Sequence, residues 1–192
     1  MRIIAGEFRG RQLMSPQGEA TRPITDRAKQ SLFDILAPHI DGALVYDCFA
    51  GTGSMGLECL SRGANFATFF ESDRTALARL SQNIAGLQVA DRSRVVAGDL
   101  FRWFDLSAKR PDSTNASGAD IVFIDPPYRF LRQHADEIVQ LAFHLTHSHL
   151  RPDAIVVFRH DAADKLELPK LERFDVREYG DMGIELLRMT DQ

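Results

Sequence analysis

The sequence predicts an α/β fold: a doubly wound, mostly parallel sheet preceded by a small N-terminal β-hairpin. Three observations support this prediction. From Leu44 onwards, short apolar segments alternate with helical patterns, which is typical of parallel sheets. A glycine-rich loop follows the first of these segments, as it does in nucleotide-binding folds. Residues 2–14 alternate short apolar residues with arginine around two glycines, a pattern that favours a hairpin over a helix.

Length and composition predict one well-buried domain, because the chain has 192 residues, of which 44% are hydrophobic and 26% charged. We therefore expect a hairpin arm over residues 1–20 and one main domain over residues 21–192. No segment approaches the roughly 18 apolar residues of a membrane helix, and no signal-peptide core is found, so a cytoplasmic location is expected. Cys48 and Cys59 are expected to be reduced, buried thiols.

Charge is unevenly distributed along the chain. The formal net charge is -4, yet the first 29 residues contain six basic residues against three acidic ones. This basic front segment is the predicted contact surface for an anionic partner. A solvated arginine face with no partner is the alternative explanation.

The spacing of apolar and turn residues predicts where individual helices, strands and loops lie. We expect a helix that begins at Thr25 as its N-cap and ends before Pro38, because Ala28 and Leu32 lie on one apolar face. Residues 107–118 are expected to form a surface loop. Further helices are expected near residues 54–62, 74–85 and 133–145, and strands at 44–47, 67–71, 94–97, 121–125, 155–159, 174–179 and 185–189. A short segment around 101–104 follows the third of these strands. The last two strands are expected to form an antiparallel hairpin, with Gly180 and Gly183 between them.

The segment GTGSMG at residues 51–56 is a dinucleotide-type fingerprint between a strand and a helix. Glycines allow a sharp turn and the close approach of a ligand to the backbone. Glu71 follows twenty residues after Gly51, at the end of the next strand, where a carboxylate can accept hydrogen bonds from ribose hydroxyls. NAD and S-adenosylmethionine both contain such a ribose.

Asp47 favours S-adenosylmethionine over NAD. This acid ends the first strand just before the glycine loop, where it would oppose a pyrophosphate but attract an ammonium or sulfonium group. Asp99 follows the third strand and is placed to accept a hydrogen bond from the adenine amine, with Leu100 beside the ring. As an alternative, these acids could be helix N-caps or turn residues.

The most specific motif is the apolar strand that ends in Asp125-Pro126-Pro127-Tyr128. Two prolines remove two N–H donors, so the backbone carbonyls and the Asp125 carboxylate present only acceptors. An exocyclic amine of a base offers two donors, and its nitrogen becomes positive as it is methylated. Tyr128 is expected to stack on a base that has left its helix. A simple turn after a strand is the alternative explanation.

Together these motifs resemble the bacterial guanine-N2 methyltransferases of the RsmD type, which modify 16S rRNA of the small ribosomal subunit. The resemblance rests on RIIAG with RGR at the start, TRP at residues 21–23 with DR at 26–27, DCFAGTG at residues 47–53, DPPY, and Tyr179-Gly180. It implies a seven-stranded, Rossmann-like methyltransferase sheet with a small N-terminal hairpin. It also implies S-adenosyl-L-methionine as cofactor and transfer to the N2 amine of a guanine.

The predicted site follows from the motifs and from this resemblance. The predicted cofactor-binding residues are Asp47, Phe49, Ala50, Gly51, Gly53, Glu71, Ser72, Asp99, Leu100 and Asp125; the predicted catalytic residues are Asp125, Pro126, Pro127 and Tyr128; and Arg9, Arg11, Arg22 and Arg27 are predicted to contact RNA phosphates. The implied partner is 16S rRNA in the small subunit or its assembly intermediate, bound by a monomer. No metal is expected, because the histidines at 144, 147 and 149 complete no ligand set.

Three other functions are compatible with parts of the pattern. A DNA or RNA adenine-N6 methyltransferase would use the same acceptors. An RNA-binding assembly factor would keep the fold without catalysis. An NAD oxidoreductase would use the glycine loop but gain nothing from Asp47.

Overall fold

The computed structural model describes residues 1–15, 24–109 and 118–190, with backbone alone for 107–109. The chain divides into two compact units, Met1–Gly98 and Asp99–Gln192. The helices are α1 (Asp26–Leu36), α2 (Ser54–Ser61), α3 (Arg74–Leu87), α4 (Leu100–Lys109), α5 (Tyr128–Gln133) and α6 (Ala135–His144). The strands are β1 (Leu44–Asp47), β2 (Phe66–Glu71), β3 (Ser93–Ala97), β4 (Ala119–Ile124), β5 (Leu150–Asp161), β6 (Leu171–Tyr179) and β7 (Met182–Met189).

The seven strands form one sheet in the order β3-β2-β1-β4-β5-β7-β6. Pairing is parallel between β1 and β2, between β2 and β3, and between β4 and β5. It is antiparallel between β5 and β7 and between β7 and β6. The predicted mostly parallel, seven-stranded α/β sheet is therefore confirmed, with an antiparallel hairpin at one end.

In the first unit, helix α1 begins and packs as its sequence predicts. Thr25 caps α1, its hydroxyl accepting from the Ala28 amide at 3.2 Å. One face of α1 is buried, as the apolar spacing predicts, and it contains Leu32, Phe33 and Leu36.

Cys48 and Cys59 are both free and buried, in agreement with their prediction as reduced thiols.

The N-terminal arm, residues 1–15, is a compact loop closed at its base. Arg2 and Gln12 form an isolated antiparallel bridge, and the Ile3 amide donates to the Arg11 carbonyl at 3.0 Å. The bridge is the expected pairing of a hairpin, but turns rather than extended strands occupy the tip. Ile3 and Leu13 are buried, so the arm contributes to the core of the first unit.

A buried charge cluster fastens the arm to α2. Both carboxylate oxygens of Glu58 accept from the arm, one from the Ile4 amide at 2.8 Å and one from the Ala5 amide at 3.0 Å. The Lys29 ammonium lies 2.9 Å from Glu58, and the Arg62 guanidinium lies 2.8 Å from it. Burial lowers the pKa of Lys29, an effect that Glu58 opposes.

The second unit departs from expectation at its helices. α4 runs to Lys109, so residues 107–109, predicted as the start of a loop, are helical instead. The rest of that predicted loop, 110–117, lies outside the described residues. The helix expected near 133–145 is present as α6, and a further helix, α5, precedes it; the two are separated at His134, whose φ of -133° lies outside the helical range.

The β6–β7 hairpin confirms the predicted antiparallel pair. Gly180 lies in its turn with a φ of +66°. Gly183 was expected in the turn as well, but it lies inside β7, where a Cβ would be 3.0 Å from the His160 ring. Among the helices of the described residues, none is both long and apolar enough to cross a membrane.

Candidate active site

The glycine loop between β1 and α2 is shaped by close packing on one side. A Cβ at Gly53 would lie 2.5 Å from the Leu80 side chain, and one at Gly56 would lie 2.3 Å from the Phe69 ring. Gly53 also has a φ of +88°, which favours glycine. A Cβ at Gly51 would meet no described atom within 4 Å. The loop backbone at Gly51 is therefore open to a ligand.

Asp47 closes this loop from the end of β1. Its side chain is 1% exposed, and its Oδ2 accepts from the Gly56 amide at 3.0 Å. The bond spans the loop and fixes its shape. Because a carboxylate has about four acceptor positions, this contact is compatible with the predicted attraction for a cofactor ammonium, which stays a prediction.

Glu71 connects the end of β2 to the glycine loop. Its Oε2 accepts from the Gly51 amide at 2.7 Å, and its Oε1 accepts from the Ser72 and Asp73 amides, each at 2.8 Å. Three neutral N–H groups thus hold one carboxylate beside the open face of Gly51. This placement suits the predicted acceptor of ribose hydroxyls.

Asp99 has the helix-capping role that the sequence left open. Its Oδ1 accepts from the Phe101 amide at 2.9 Å and from the Arg102 amide at 3.3 Å, at the start of α4. Asp99 is exposed while Leu100 is buried. The predicted contact with adenine therefore stays a prediction. Of the other predicted cofactor residues, Phe49 is half-buried, Ala50 is buried and Ser72 is exposed.

Asp125 follows β4 in the second unit and forms an ion pair with Arg159 of β5. The Arg159 Nε donates to Asp125 Oδ1, and the side chains are only 10% and 16% exposed, respectively. Burial raises the pKa of Asp125, and the Arg159 guanidinium opposes that rise. The carboxylate at the motif is therefore held by a cation of the protein itself.

The rest of the motif leads directly into α5. The Pro127 carbonyl accepts from the Phe130 amide at 2.8 Å, so it is engaged in starting the helix. The Tyr128 hydroxyl is buried and has no hydrogen-bond partner among the described residues. Burial is the main cause that raises the pKa of Tyr128, so the phenol stays neutral. Its predicted stacking on a base is untested.

The four arginines predicted to bind RNA differ in their surroundings. Arg9 and Arg27 are exposed, and no described residue pairs with either. Arg11 donates to the Gly86 carbonyl at 2.7 Å, which ties the arm to the end of α3. Arg22 lies outside the described residues.

Two buried polar side chains join the arm to the glycine loop, and sequence reasoning missed both. Asn83 donates to the Thr52 carbonyl at 2.8 Å and accepts from the Met14 amide at 2.7 Å. Lys29 donates to the Arg2 carbonyl and to the Ser54 hydroxyl, each at 3.2 Å. The signal was a polar residue at helical spacing on an otherwise apolar face.

Arg159 was also missed, although it directly follows the apolar run 154–158 of β5, and a charged residue that continues a buried strand is a recognisable signal. Its partner lies 34 residues away, so spacing could not identify it. Within the described part of the chain, no group of three or more metal-binding side chains is present. Burial lowers the pKa of His149 to about 4, so this histidine is neutral.

Comparison with known proteins extends these observations. The Ribosomal RNA small subunit methyltransferase D of Haemophilus influenzae is 35% identical over 170 residues, 88% of this chain and 83% of that protein. Its Escherichia coli namesake is 42% identical over 129 residues, 67% of this chain and 61% of that protein. The solved structure of Escherichia coli yhhF has a TM-score of 0.82 at 33% identity, covering 100% of this chain and 99% of that one.

The fold, the glycine loop and these relatives define the class: the protein is an S-adenosylmethionine-dependent methyltransferase. Residues 1–188 match the model of one family, described as Conserved hypothetical protein 95, and the chain belongs to that family. The RsmD-type resemblance and the cofactor expected from the sequence are both confirmed.

Proposed function

We propose that the protein transfers a methyl group from S-adenosylmethionine to the N2 amine of a guanine in 16S rRNA. The observation that carries this proposal is the Asp125 carboxylate, fixed by Arg159 and followed by two prolines that donate no hydrogen bond. Support for rRNA as substrate comes from relatives named as small-subunit rRNA methyltransferases, 35% and 42% identical to this chain.

The residues of the glycine loop fit the cofactor. The open backbone at Gly51 admits a nucleoside, and Glu71 beside it offers acceptors for ribose hydroxyls. Asp47 supplies negative charge for an ammonium group, while Asp99 and Leu100 are the candidates for the adenine. When bound, S-adenosylmethionine supplies an electrophilic methyl group on a positively charged sulfur, so the transfer uses no metal.

Asp125 and the Pro126 carbonyl accept the two N–H groups of the target amine. These bonds would orient the nitrogen towards the methyl group that bound S-adenosylmethionine would supply. Methylation would make the nitrogen positive. Asp125 stabilises this charge, and one proton leaves the nitrogen along its hydrogen bond to the carboxylate.

Tyr128 holds the target base by stacking. The base must leave its helix to reach the acceptors, and an aromatic ring offers it a replacement for its stacked neighbours. Arg9 and Arg27 contact RNA phosphates, whereas Arg11 orders the arm through Gly86. The protein acts as a cytoplasmic monomer on the small subunit or its assembly intermediate.

The test is methyl transfer from labelled S-adenosylmethionine to small ribosomal subunits from cells that lack this protein. Free 16S rRNA and duplex DNA are assayed in parallel, and the labelled nucleosides are identified. N2-methylguanosine confined to rRNA is the expected product. N6-methyladenosine in rRNA would overturn the choice of base, and label in DNA alone would overturn the substrate. No label in any polymer would favour a non-catalytic assembly factor.

A further inference from the structure

Arg159 occupies a place where a charged side chain has no advantage for stability. It is a buried residue directly after the apolar run 154–158 of β5, and its guanidinium contacts the Asp125 carboxylate and, at 3.7 Å, the Met182 sulfur. A buried ion pair is often no more stabilising than well-packed apolar residues of the same volume. Stability alone therefore does not explain the Arg159–Asp125 pair. Because Asp125 belongs to the proposed catalytic motif, a role in catalysis is the better explanation.

We propose that Arg159 is a positioning residue for methyl transfer, which orients the Asp125 carboxylate and keeps it charged. This inference rests on the proposed role of Asp125 as acceptor for the amine. A guanidinium is always protonated and is rigid, so it fixes a carboxylate better than a neutral donor does. Because the carboxylate has about four acceptor positions, it can bind Arg159 and the amine together.

The charges around Asp125 make this role necessary. Burial favours the neutral carboxyl and raises the pKa of Asp125. Asp161 on β5 and Asp181 before β7 act on the neighbouring Tyr128 phenol, and Asp161 is itself paired with Arg132 at 2.9 Å. Arg159 is the cation that opposes the effect of burial on Asp125. A protonated Asp125 would lose an acceptor and could not balance the positive nitrogen.

The same two strands provide a matched control at their opposite end. Arg151 near the start of β5 pairs with Asp120 near the start of β4, with both oxygens at 3.0 Å from the same guanidinium nitrogen. This second pair has the same residue types on the same strands, but it lies away from the motif. Its loss affects the paired strands without affecting Asp125.

The experiment compares Arg159→Met, Arg159→Lys and Arg151→Met with the wild type on the polymer that the wild type methylates. We expect Arg159→Met to lower kcat by about 10- to 100-fold, as for a lost bond to a charged group. The acid limb of its pH–kcat profile should move up by about 1 to 3 pH units. KM for the polymer should stay near the wild-type value. Arg159→Lys should restore the acid limb, and Arg151→Met should change neither quantity.

An acid limb that stays in place in a folded Arg159→Met variant would overturn the inference, and so would a change in KM alone. If Arg159→Met does not fold, Arg159→Lys decides: a kcat equal to the wild type would overturn the positioning role. A carbon-13 titration of the Asp125 carboxyl in wild type, Arg159→Met and Arg159→Lys uses no substrate; we expect a pKa that rises in Arg159→Met and is restored in Arg159→Lys, and an unchanged pKa in Arg159→Met would overturn the inference. It tests the electrostatic role even if the assay of guanine methylation fails.

Discussion

Glu71 in the first unit and Asp125 in the second are held in different ways. Three backbone amides hold Glu71: two belong to the residues directly after it, and the third belongs to Gly51, twenty residues earlier. The guanidinium of Arg159, 34 residues away in the chain, holds Asp125. Neutral amides fix the position of the Glu71 carboxylate without placing a cation beside it, which suits an acceptor for ribose hydroxyls. Arg159 favours the charged form of Asp125, which suits an amine that becomes positive during the reaction.

The largest expected effect is a loss of stability on removal of the Lys29–Glu58 ion pair, which we expect to serve folding, whereas the Arg159–Asp125 pair is proposed to serve catalysis. Glu58 is also a buried carboxylate held by cations, but it lies under the arm. Lys29→Met should lower the free energy of unfolding by about 3–5 kcal/mol, because it leaves Glu58 buried with a lost partner. Urea denaturation measures this, with exposed Lys165→Met as the control. A loss below about 1 kcal/mol would mean that the pair is not needed for folding.

Asp125→Ala tests the second half of the comparison. We expect kcat to fall by about 10² to 10³-fold, because the developing charge on nitrogen loses its acceptor. The dissociation constant for S-adenosylmethionine should stay near the wild-type value. Asp120→Ala at the start of β4 is the control and should keep its activity. A large loss of cofactor affinity in Asp125→Ala would instead assign Asp125 to cofactor binding.

Glu71→Gln should lower cofactor affinity and leave kcat nearly unchanged, which is the reverse of the effects expected for Asp125→Ala. The change removes the negative charge and turns an NH2 group towards one set of backbone amides, so cofactor affinity should fall by about 10- to 100-fold. At saturating cofactor, kcat should approach the wild-type value. Calorimetric titration measures the affinity, with exposed Glu178→Gln as the control. An unchanged affinity would leave Glu71 with a purely structural role.

Substitutions of Asp99 should have the smallest effect. They distinguish its role as N-cap of α4 from its predicted role in cofactor binding. Asp99→Ala should lower the stability of the protein by about 1 kcal/mol through loss of the N-cap, while Asp99→Asn should keep the cap. If Asp99 accepts the adenine amine, both variants should weaken cofactor binding. Weakened binding in the alanine variant alone would show that the cap, and not the acid, is required.

The sequence predicted what depends on neighbouring residues. α1 with its Thr25 cap and strands β1 to β3 follow local patterns. α5 was missed because the two prolines were interpreted as an extended end of a strand, although proline is also compatible with the start of a helix. The bond between Asp125 and Arg159 depends on strand pairing, which no local pattern contains.

The attachment of the N-terminal arm has a consequence for protein engineering. The arm gives two backbone amides to Glu58, and its ends reach the glycine loop through Lys29 and Asn83. Its shape is therefore encoded largely by residues that are not part of it. A graft of residues 1–15 onto another methyltransferase would have to carry these three side chains with it, or the transplanted peptide would have no defined conformation.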